Sequence, residues 1–543
     1  MHKPILPKKQ STINYRGIIR DPIHGFISYS DLEYMLMQHP FLRRLHNIKQ
    51  LGLSNLVFPG ATHTRFSHSI GVMHLAGIMA ERISYIAQRN SDLCREIFAR
   101  CDIGPDNFVK TARLLGLLHD IGHFPFSHQL EISLQTIIDM SMWASSLDQR
   151  IPEGFMQEIK EIIRRYSPLT RTKKLHEVFT LEYIDVLSDY VKQNYGGDSV
   201  ELLRTVSNIL RGNFFIDDDS EYLGFRASAL RLLGSLISHD VFDADRLDYL
   251  ERDGEMTGVV YGIIDTDRLV HGLDIIRDEN GELQLSIHDK SMSSLEDIFD
   301  ARYKMYKSVY YHHKSLSINI ALNKIIEGLF RVWDEIVPSE LKKHLDTPSL
   351  LYDPVHMADL IVQQKFLYTD SDLEYLITKM IHATDNIASR WAKSIISRRD
   401  LLPVSLVKRP DSLLTIIQKY SGDRDALDIA NQVFTNILAS TEKIQESIIE
   451  NIRKELGNKI DKDSIIVDFD KRTIFNAESL KMHRQFNSLY LNALAKVSSV
   501  ILLYVFVYSD DEKIHKAIFS IRSVLRNSLS RLLENMIKNY LRA

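Results

Sequence analysis

Apolar positions along this chain recur mostly at helical spacing. In residues 66–86, Ile70, Met73, Ala76, Gly77, Met79 and Ala80 fall on one side of a helix. Residues 108–120, FVKTARLLGLLHD, are apolar nearly all round, which predicts a buried helix ended by Gly122 and Pro125. Residues 226–252 read as a helical stretch with a break near Ser238, and another helix is expected over 292–314. The period changes at 273–287, where alternating apolar positions flank Asn280-Gly281 and predict a β-hairpin. Strands are also expected at 464–468 and 502–508, and an amphipathic helix at 518–541 with Arg522, Arg526, Arg531 and Lys538 outside. The fold class is therefore mainly α, with a helical core, a small β-hairpin and a mixed α+β C-terminal lobe. Turn residues become denser near Val337-Pro338 and Pro348 to Pro354, so the boundary is drawn at 1–335 and 336–543.

Composition narrows the picture slightly. At 543 residues the chain exceeds one ordinary core, and 44% hydrophobic with 25% charged residues are globular values. A net charge of -4 gives no reason to expect nonspecific nucleic-acid binding. The run 497–508 is too short to span a bilayer and is bracketed by Lys496 and Asp510, so no membrane partner is expected. Cys94 and Cys101, the only cysteines, match no zinc or redox spacing. With no signal-like N-terminus, the expected setting is reducing and cytoplasmic.

The chemistry lies in two histidine segments and a distant carboxylate. The first segment is His63-Thr64-Arg65-Phe66-Ser67-His68, and the second runs from Leu118-His119-Asp120-Ile121-Gly122-His123 to His128. The late carboxylate is Asp245, within Asp243-Ala244-Asp245-Arg246-Leu247-Asp248-Tyr249. Neutral imidazoles and hard carboxylate oxygens together suit one ion of the Mn, Fe, Zn or Mg kind. His68, His119, Asp120 and Asp245 are the candidate ligands. Arg65, near a helix start, can grip phosphate oxygens in a fork. His123 is a candidate proton donor with Glu131 to orient it, and His128 and His176 are further phosphate or acid–base candidates. Tyr249 and Asp253 follow Asp245 at i+4 and i+8, one stripe suited to a sugar. Arg302, Tyr306 and Tyr310 share a side of the 292–314 helix by the same count, a mixture suited to a nucleotide.

At these residues the chain resembles the HD-domain deoxynucleoside triphosphate triphosphohydrolases over roughly residues 15–315. The carrying motifs are Asp21-Pro22-Ile23-His24-Gly25, Ile48-Lys49-Gln50-Leu51-Gly52, the two histidine segments, and Asp245-Arg246-Leu247-Asp248-Tyr249. The resemblance implies an HD-domain helical core and release of deoxynucleoside and intact triphosphate from a dNTP. It implies His68, His119, Asp120 and Asp245 as metal ligands, and His123 supported by Glu131 as proton donor. It further implies Arg65, His128 and His176 on phosphates, with Gln50, Leu51, Tyr249, Asp253 and Tyr310 around the sugar. A homo-oligomer and an allosteric nucleotide are also family traits. Gln38 stands where the family's guanine site has an acid, and Arg20 where its motif has Asn, so guanine-specific activation is not expected. The competing readings are another HD-type nucleotide phosphodiesterase or 5′-nucleotidase, or a non-catalytic nucleotide sensor.

Overall fold

The computed structural model describes residues 13–143, 151–166, 174–214, 223–397, 401–403, 441–458, 465–473 and 499–508, with single positions at 460 and between 513 and 538. The expected helix at 518–541 lies largely outside the described residues. The chain falls into two compact units. The first is Met1–Met305 with Leu322–Ala392, and the second is Tyr306–Ala321 with Lys393–Ala543. Residues 336–392 thus pack with the first unit, whereas the sequence-based division had put them with the C-terminal lobe.

The first unit is mainly α. It opens on an antiparallel hairpin, β1 (Tyr15–Asp21) and β2 (Gly25–Ser30), in register from Ile18↔Ser28 to Asp21↔Gly25. The Asp21-Pro22-Ile23-His24-Gly25 motif is its turn. Asp21 Oδ1 accepts the amide N–H of Ile23 and His24 at 2.9 and 3.0 Å, and Gly25 takes φ 74°, where a β-carbon would be strained.

Two helices build the core. Helix α1 (Arg65–Gln88) has Thr64 as its N-cap, whose side chain accepts from Ser67 N. Helix α2 (Gly104–Leu118) begins with Pro in its first turn. They pack along each other. Val72, Met73, Ala76 and Met79 of α1, and Phe108, Ala112, Leu115 and Leu118 of α2, are fully buried. Each large side chain among them contributes about 1.5–3 kcal/mol by leaving water. Arg113 ties α2 to the hairpin, donating to Glu33 at 2.7 and 3.0 Å and to Ser28 O at 2.6 Å.

Around this pair lie α3 (His128–Trp143), α4 (Leu175–Asn194), α5 (Ala244–Thr257) and α6 (Met292–Met305). The helical stretch expected over 226–252 is two helices, Ala227–Ile237 and α5, with the break at Ser238. The expected hairpin is present as β3 (Leu273–Arg277) and β4 (Leu283–Ile287), registered from Leu273↔Ile287 to Arg277↔Leu283. Its turn is longer than two residues, because Asp278 Oδ1 accepts from Asn280 N and Glu282 N.

The helix expected over 292–314 is not continuous. It becomes a π-turn at Tyr306–Tyr310, with Tyr311 N bonded to Tyr306 O at 2.8 Å, and a new helix begins at His313. The wider turn changes the angle per residue, yet the Tyr306 and Tyr310 rings still meet, with centroids 5.0 Å apart. In the second unit, β5 (Leu401–Pro403), β6 (Ile465–Thr473) and β7 (Ser499–Tyr508) form an antiparallel sheet with β7 central. Both expected strands are there, extended by their mutual register. Cys94 and Cys101, expected as separate thiols, are joined as a disulfide. Among the described residues no helix is long and apolar enough to cross a membrane.

Candidate metal centre

His68 lies one turn into α1, His119 caps the C-terminus of α2, Asp120 follows it, and Asp245 is in the first turn of α5. Ligand atoms of His68, His119 and Asp120 lie within 4.8 Å of one another. Asp120 Oδ2 is 3.7 Å from His68 Nε2 and 3.5 Å from His119 Nε2. Asp245 Oδ1 is 3.0 and 3.7 Å from the same two nitrogens. Four side chains from three helices thus converge at one point.

The tautomers are set from behind. His119 Nδ1 sits 2.9 Å from Gly116 O, which can only accept, so Nδ1 carries the hydrogen and Nε2 is bare. His68 Nδ1 sits 2.7 Å from Asp248 Oδ2. Burial opposes the Asp248 charge, yet Arg252 and the hydrogen bonds from His24 and His68 hold its pKa well below the usual carboxylate range. Asp248 therefore accepts, and His68 Nε2 faces the cluster. Both Nε2 atoms are buried without a hydrogen-bond partner, the condition of an imidazole awaiting a cation. Burial disfavours charge on His68, but Asp245 and Asp248 outweigh it and push the pKa up to about 10. The field that gathers a proton there also favours a cation, so binding an ion must release that proton. Two imidazoles and two carboxylates fit a divalent or transition ion.

Arg65, buried at the start of α1, pairs with Asp120 and donates from Nε to Ser127 Oγ at 3.0 Å. The segment from His119 to Ser127 is a turn, not a continuing helix, so His123 arrives by loop geometry. Gly122 serves close packing there: a β-carbon would collide with His176 O and Thr180 N of α4. His123 Nε2 is 3.3 Å from Asp120 Oδ1, and its Nδ1 is buried without a partner. Burial, then the Arg65 charge, hold its pKa well below the ordinary histidine value.

Glu131 does not hold His123, contrary to expectation. One carboxylate oxygen lies 3.0 Å from His128 Nδ1, and the other lies 2.7 Å from His176 Nδ1 and 3.1 Å from His176 N. The first turn of α3 points Glu131 along the His128 side and toward α4, which accounts for the change. His176 stacks on His123 with centroids 4.1 Å apart.

Of the sugar candidates, Gln50 is buried with Oε1 lacking a partner, Leu51 and Tyr249 are half-buried, and Asp253 is buried with Oδ1 2.7 Å from His63 Nε2. Tyr310 belongs to the second unit, edge-on to Tyr306 at 5.0 Å.

Residues to which the sequence alone assigns no role prove central. Asp248 accepts from His24 Nε2 at 2.6 Å and twice from Arg252 at 2.9 Å, and Arg252 in turn donates to Asp21 at 2.9 and 3.2 Å. Asp248 and Arg252 are one helical turn apart, a signal readable as an i, i+4 pair. Their link to Asp21 carried none.

Residues 65–253 match the family model described as "HD domain", so the chain carries an HD domain, and the His68, His119 and Asp120 cluster lies within the matched span. Among proteins of known name it is 26% identical over 452 residues to the deoxynucleoside triphosphate triphosphohydrolase SAMHD1 homolog of Dictyostelium discoideum, covering 82% of this chain and 69% of that one. An uncharacterized protein of Methanocaldococcus jannaschii is 32% identical over 295 residues, 54% of this chain and 46% of that one. The chain spans about half the length of the first curated relatives it matches, at 46%, 57% and 58%. A crystal structure of a phosphohydrolase from Bacteroides thetaiotaomicron shares the fold, with TM-score 0.56, 23% identity, 91% of this chain and 99% of that one covered.

Proposed function

We propose that the chain hydrolyses deoxynucleoside triphosphates to deoxynucleoside and inorganic triphosphate. The observation that carries this reading is the placement of Asp120. One oxygen faces the candidate metal ligands and Arg65, and the other faces His123 and the histidines behind it. A cation site and a cationic, imidazole-lined pocket are therefore continuous, which suits several linked phosphates better than one.

His68, His119, Asp120 and Asp245 would hold the ion, which supplies Lewis acidity toward a phosphate oxygen and acidifies water. Arg65 presents a guanidinium for phosphate oxygens while Ser127 fixes its Nε end. Glu131 accepts the Nδ1 hydrogens of His128 and His176, which fixes their tautomer and ring orientation. His128, carboxylate-backed and half exposed, is then better placed than His123 to give a proton from Nε2 to a departing 5′ oxygen. His176 and His123 line the phosphate path. Gln50, Leu51, Tyr249 and Asp253 would bound the sugar, and Tyr310 is included on the resemblance alone.

Regulation by nucleotide belongs to the same proposal. Gln38, Arg43, His46 and Tyr34 line a cavity of about 520 Å³. Guanine presents adjacent N–H donors that a carboxylate can accept together. The Gln38 amide offers one acceptor and one donor, which matches adenine better. Homo-oligomerisation follows from the resemblance.

The test is product analysis by ³¹P NMR with metal-loaded protein, single dNTPs and mixtures. Free triphosphate with deoxynucleoside supports the proposal. Pyrophosphate, orthophosphate, or turnover of cyclic or monophosphate substrates alone overturns it. Activity only with mixtures supports nucleotide activation.

A further inference from the structure

We propose that His63 is the positioning residue of the sugar pocket: without meeting substrate itself, it sets the Asp253 carboxylate and the Gln50 amide to accept one hydroxyl of a nucleotide sugar. The identity of that ligand rests on the proposed function; the tie between His63, Gln50 and Asp253 does not.

His63 stands where two distant segments meet, both in the first unit. Its backbone faces the stretch around Gln50. Lys49 and Thr64 form an antiparallel bridge, flanked by Gln50 N–H donating to His63 O at 2.9 Å and Arg65 N–H donating to Ile48 O at 2.8 Å. Gln50 and His63 are directly opposed in that register, the arrangement in which side chains share a face. The His63 ring reaches α5, with Nε2 2.7 Å from Asp253 Oδ1. Asp253 lies two helical turns beyond Asp245, a candidate metal ligand on the same helix. The approach is close, since a β-carbon on Gly60 would lie 2.4 Å from Met256 O. One residue therefore joins both sugar candidates to the helix that carries a metal ligand.

Burial makes the tie stiff. The side chains of His63 and Asp253 are 3% and 2% exposed. A carboxylate oxygen accepts, so His63 Nε2 carries the ring hydrogen and gives it to Asp253. With that hydrogen engaged, His63 acts through Asp253 rather than on the sugar. The carboxylate has about four lone-pair positions, so one bond fixes its plane and leaves capacity for a hydroxyl donor. Gln50 supplies the independent sign. It is 8% exposed, and its Oε1 is buried with no hydrogen-bond partner. A buried acceptor without a donor is costly, and an incoming hydroxyl relieves that cost. In a dNTP the 5′ oxygen carries the phosphates and C2′ bears none, so the 3′ hydroxyl is the one donor the sugar offers.

Kinetics with one dNTP and its 2′,3′-dideoxy counterpart test the role on the full, metal-loaded chain. The ratio of the two kcat/KM values is taken within one preparation, so the active fraction cancels. The wild type should disfavour the dideoxy nucleotide by at least about 100-fold. His63→Gln carries its amide N–H near the place of Nε2 and should keep most of that ratio. His63→Asn, whose amide falls short of Asp253, should narrow the ratio below about 10-fold by slowing the dNTP alone. Bound metal per chain should be the same in all three proteins. Asp253→Asn should narrow the ratio by the same route, and adding His63→Asn should narrow it no further. Equal losses on both nucleotides in His63→Asn, or additive effects in the double variant, overturn the proposal and leave His63 a tie between loop and helix. A wild type that releases no triphosphate from any dNTP fails the proposed function and takes the sugar assignment with it. Triphosphate release without a 3′-hydroxyl preference fails the role of His63 alone.

Discussion

Asp248 shows how much one buried carboxylate can decide. It is 0% exposed and accepts from His24, His68 and Arg252. Arg252 and Asp21 supply the charge balance without which burying it would cost several kcal/mol. Gly71 exists for the same reason, since a β-carbon there would overlap the Asp248 carboxylate and Arg252. We expect Asp248→Asn to keep the metal ligands yet lower metal affinity about 10–100-fold, read by isothermal titration. Unchanged affinity would mean that packing alone orients His68. A second residue-scale expectation concerns His39, which is buried and whose Nδ1 accepts Phe41 N–H at 3.3 Å at a helix start. Burial lowers its pKa from 6.5 to about 4. The unfolded chain therefore binds the extra proton, and stability rises with pH across that window. The contribution is complete above about pH 6.5 and is lost as pH falls toward 4, by at most about 3 kcal/mol. Denaturant unfolding at several pH values checks this, and His39→Asn, which keeps a cap, should flatten the slope.

At the scale of elements, the turn between α2 and α3 presents His123 and His128, and it is strained. Phe126 and Ser127 have φ 55° and 56°, a region that costs non-glycine residues about 1–2 kcal/mol each. Neighbours hold it open. Asp370 Oδ1 accepts Phe126 N–H at 2.7 Å, while its Oδ2 accepts Lys49 N–H at 3.0 Å. Ser127 Oγ donates to Lys49 O at 2.7 Å. One carboxylate therefore clamps the histidine turn and the Lys49-Gln50-Leu51 stretch. Asp370→Ala is expected to destabilise by about 2–4 kcal/mol and to lower kcat while the bound metal count stays the same. Thermal melts and kinetics check both parts, and unaltered kcat would leave Asp370 a purely structural clamp. Periodicity read α1, α2 and the β3–β4 hairpin well because each is set by local apolar spacing. It did not anticipate β1 and β2, whose short strands carry mixed exposure, or the π-turn at Tyr306–Tyr310, which alternating apolar and polar positions do not encode.

For the molecule as a whole, the candidate centre draws on α1, the α2 terminus and α5, all in the first unit. A metal bound only by the folded state should stabilise it by about 2.7 kcal/mol at one hundred times its Kd. Chelation should therefore lower Tm, and Asp120→Ala should be insensitive to chelator and free of turnover. A chelator response equal to wild type in Asp120→Ala would place the stabilising ion elsewhere. The sequence by itself determined the residue types of the candidate centre: His68, His119, Asp120 and Asp245 stand out as candidates from their motifs before any folding is considered. It also determined the helices that carry them, since apolar period is a local property. Only the tertiary structure decided the pairings. That Glu131 serves His128 and His176 rather than His123, that Asp21 and Asp248 grip one arginine, and that Asp370 holds the histidine turn all depend on segments far apart in the chain meeting in space. Side-chain direction at such meetings follows from helix packing and turn geometry, which residue spacing alone does not specify.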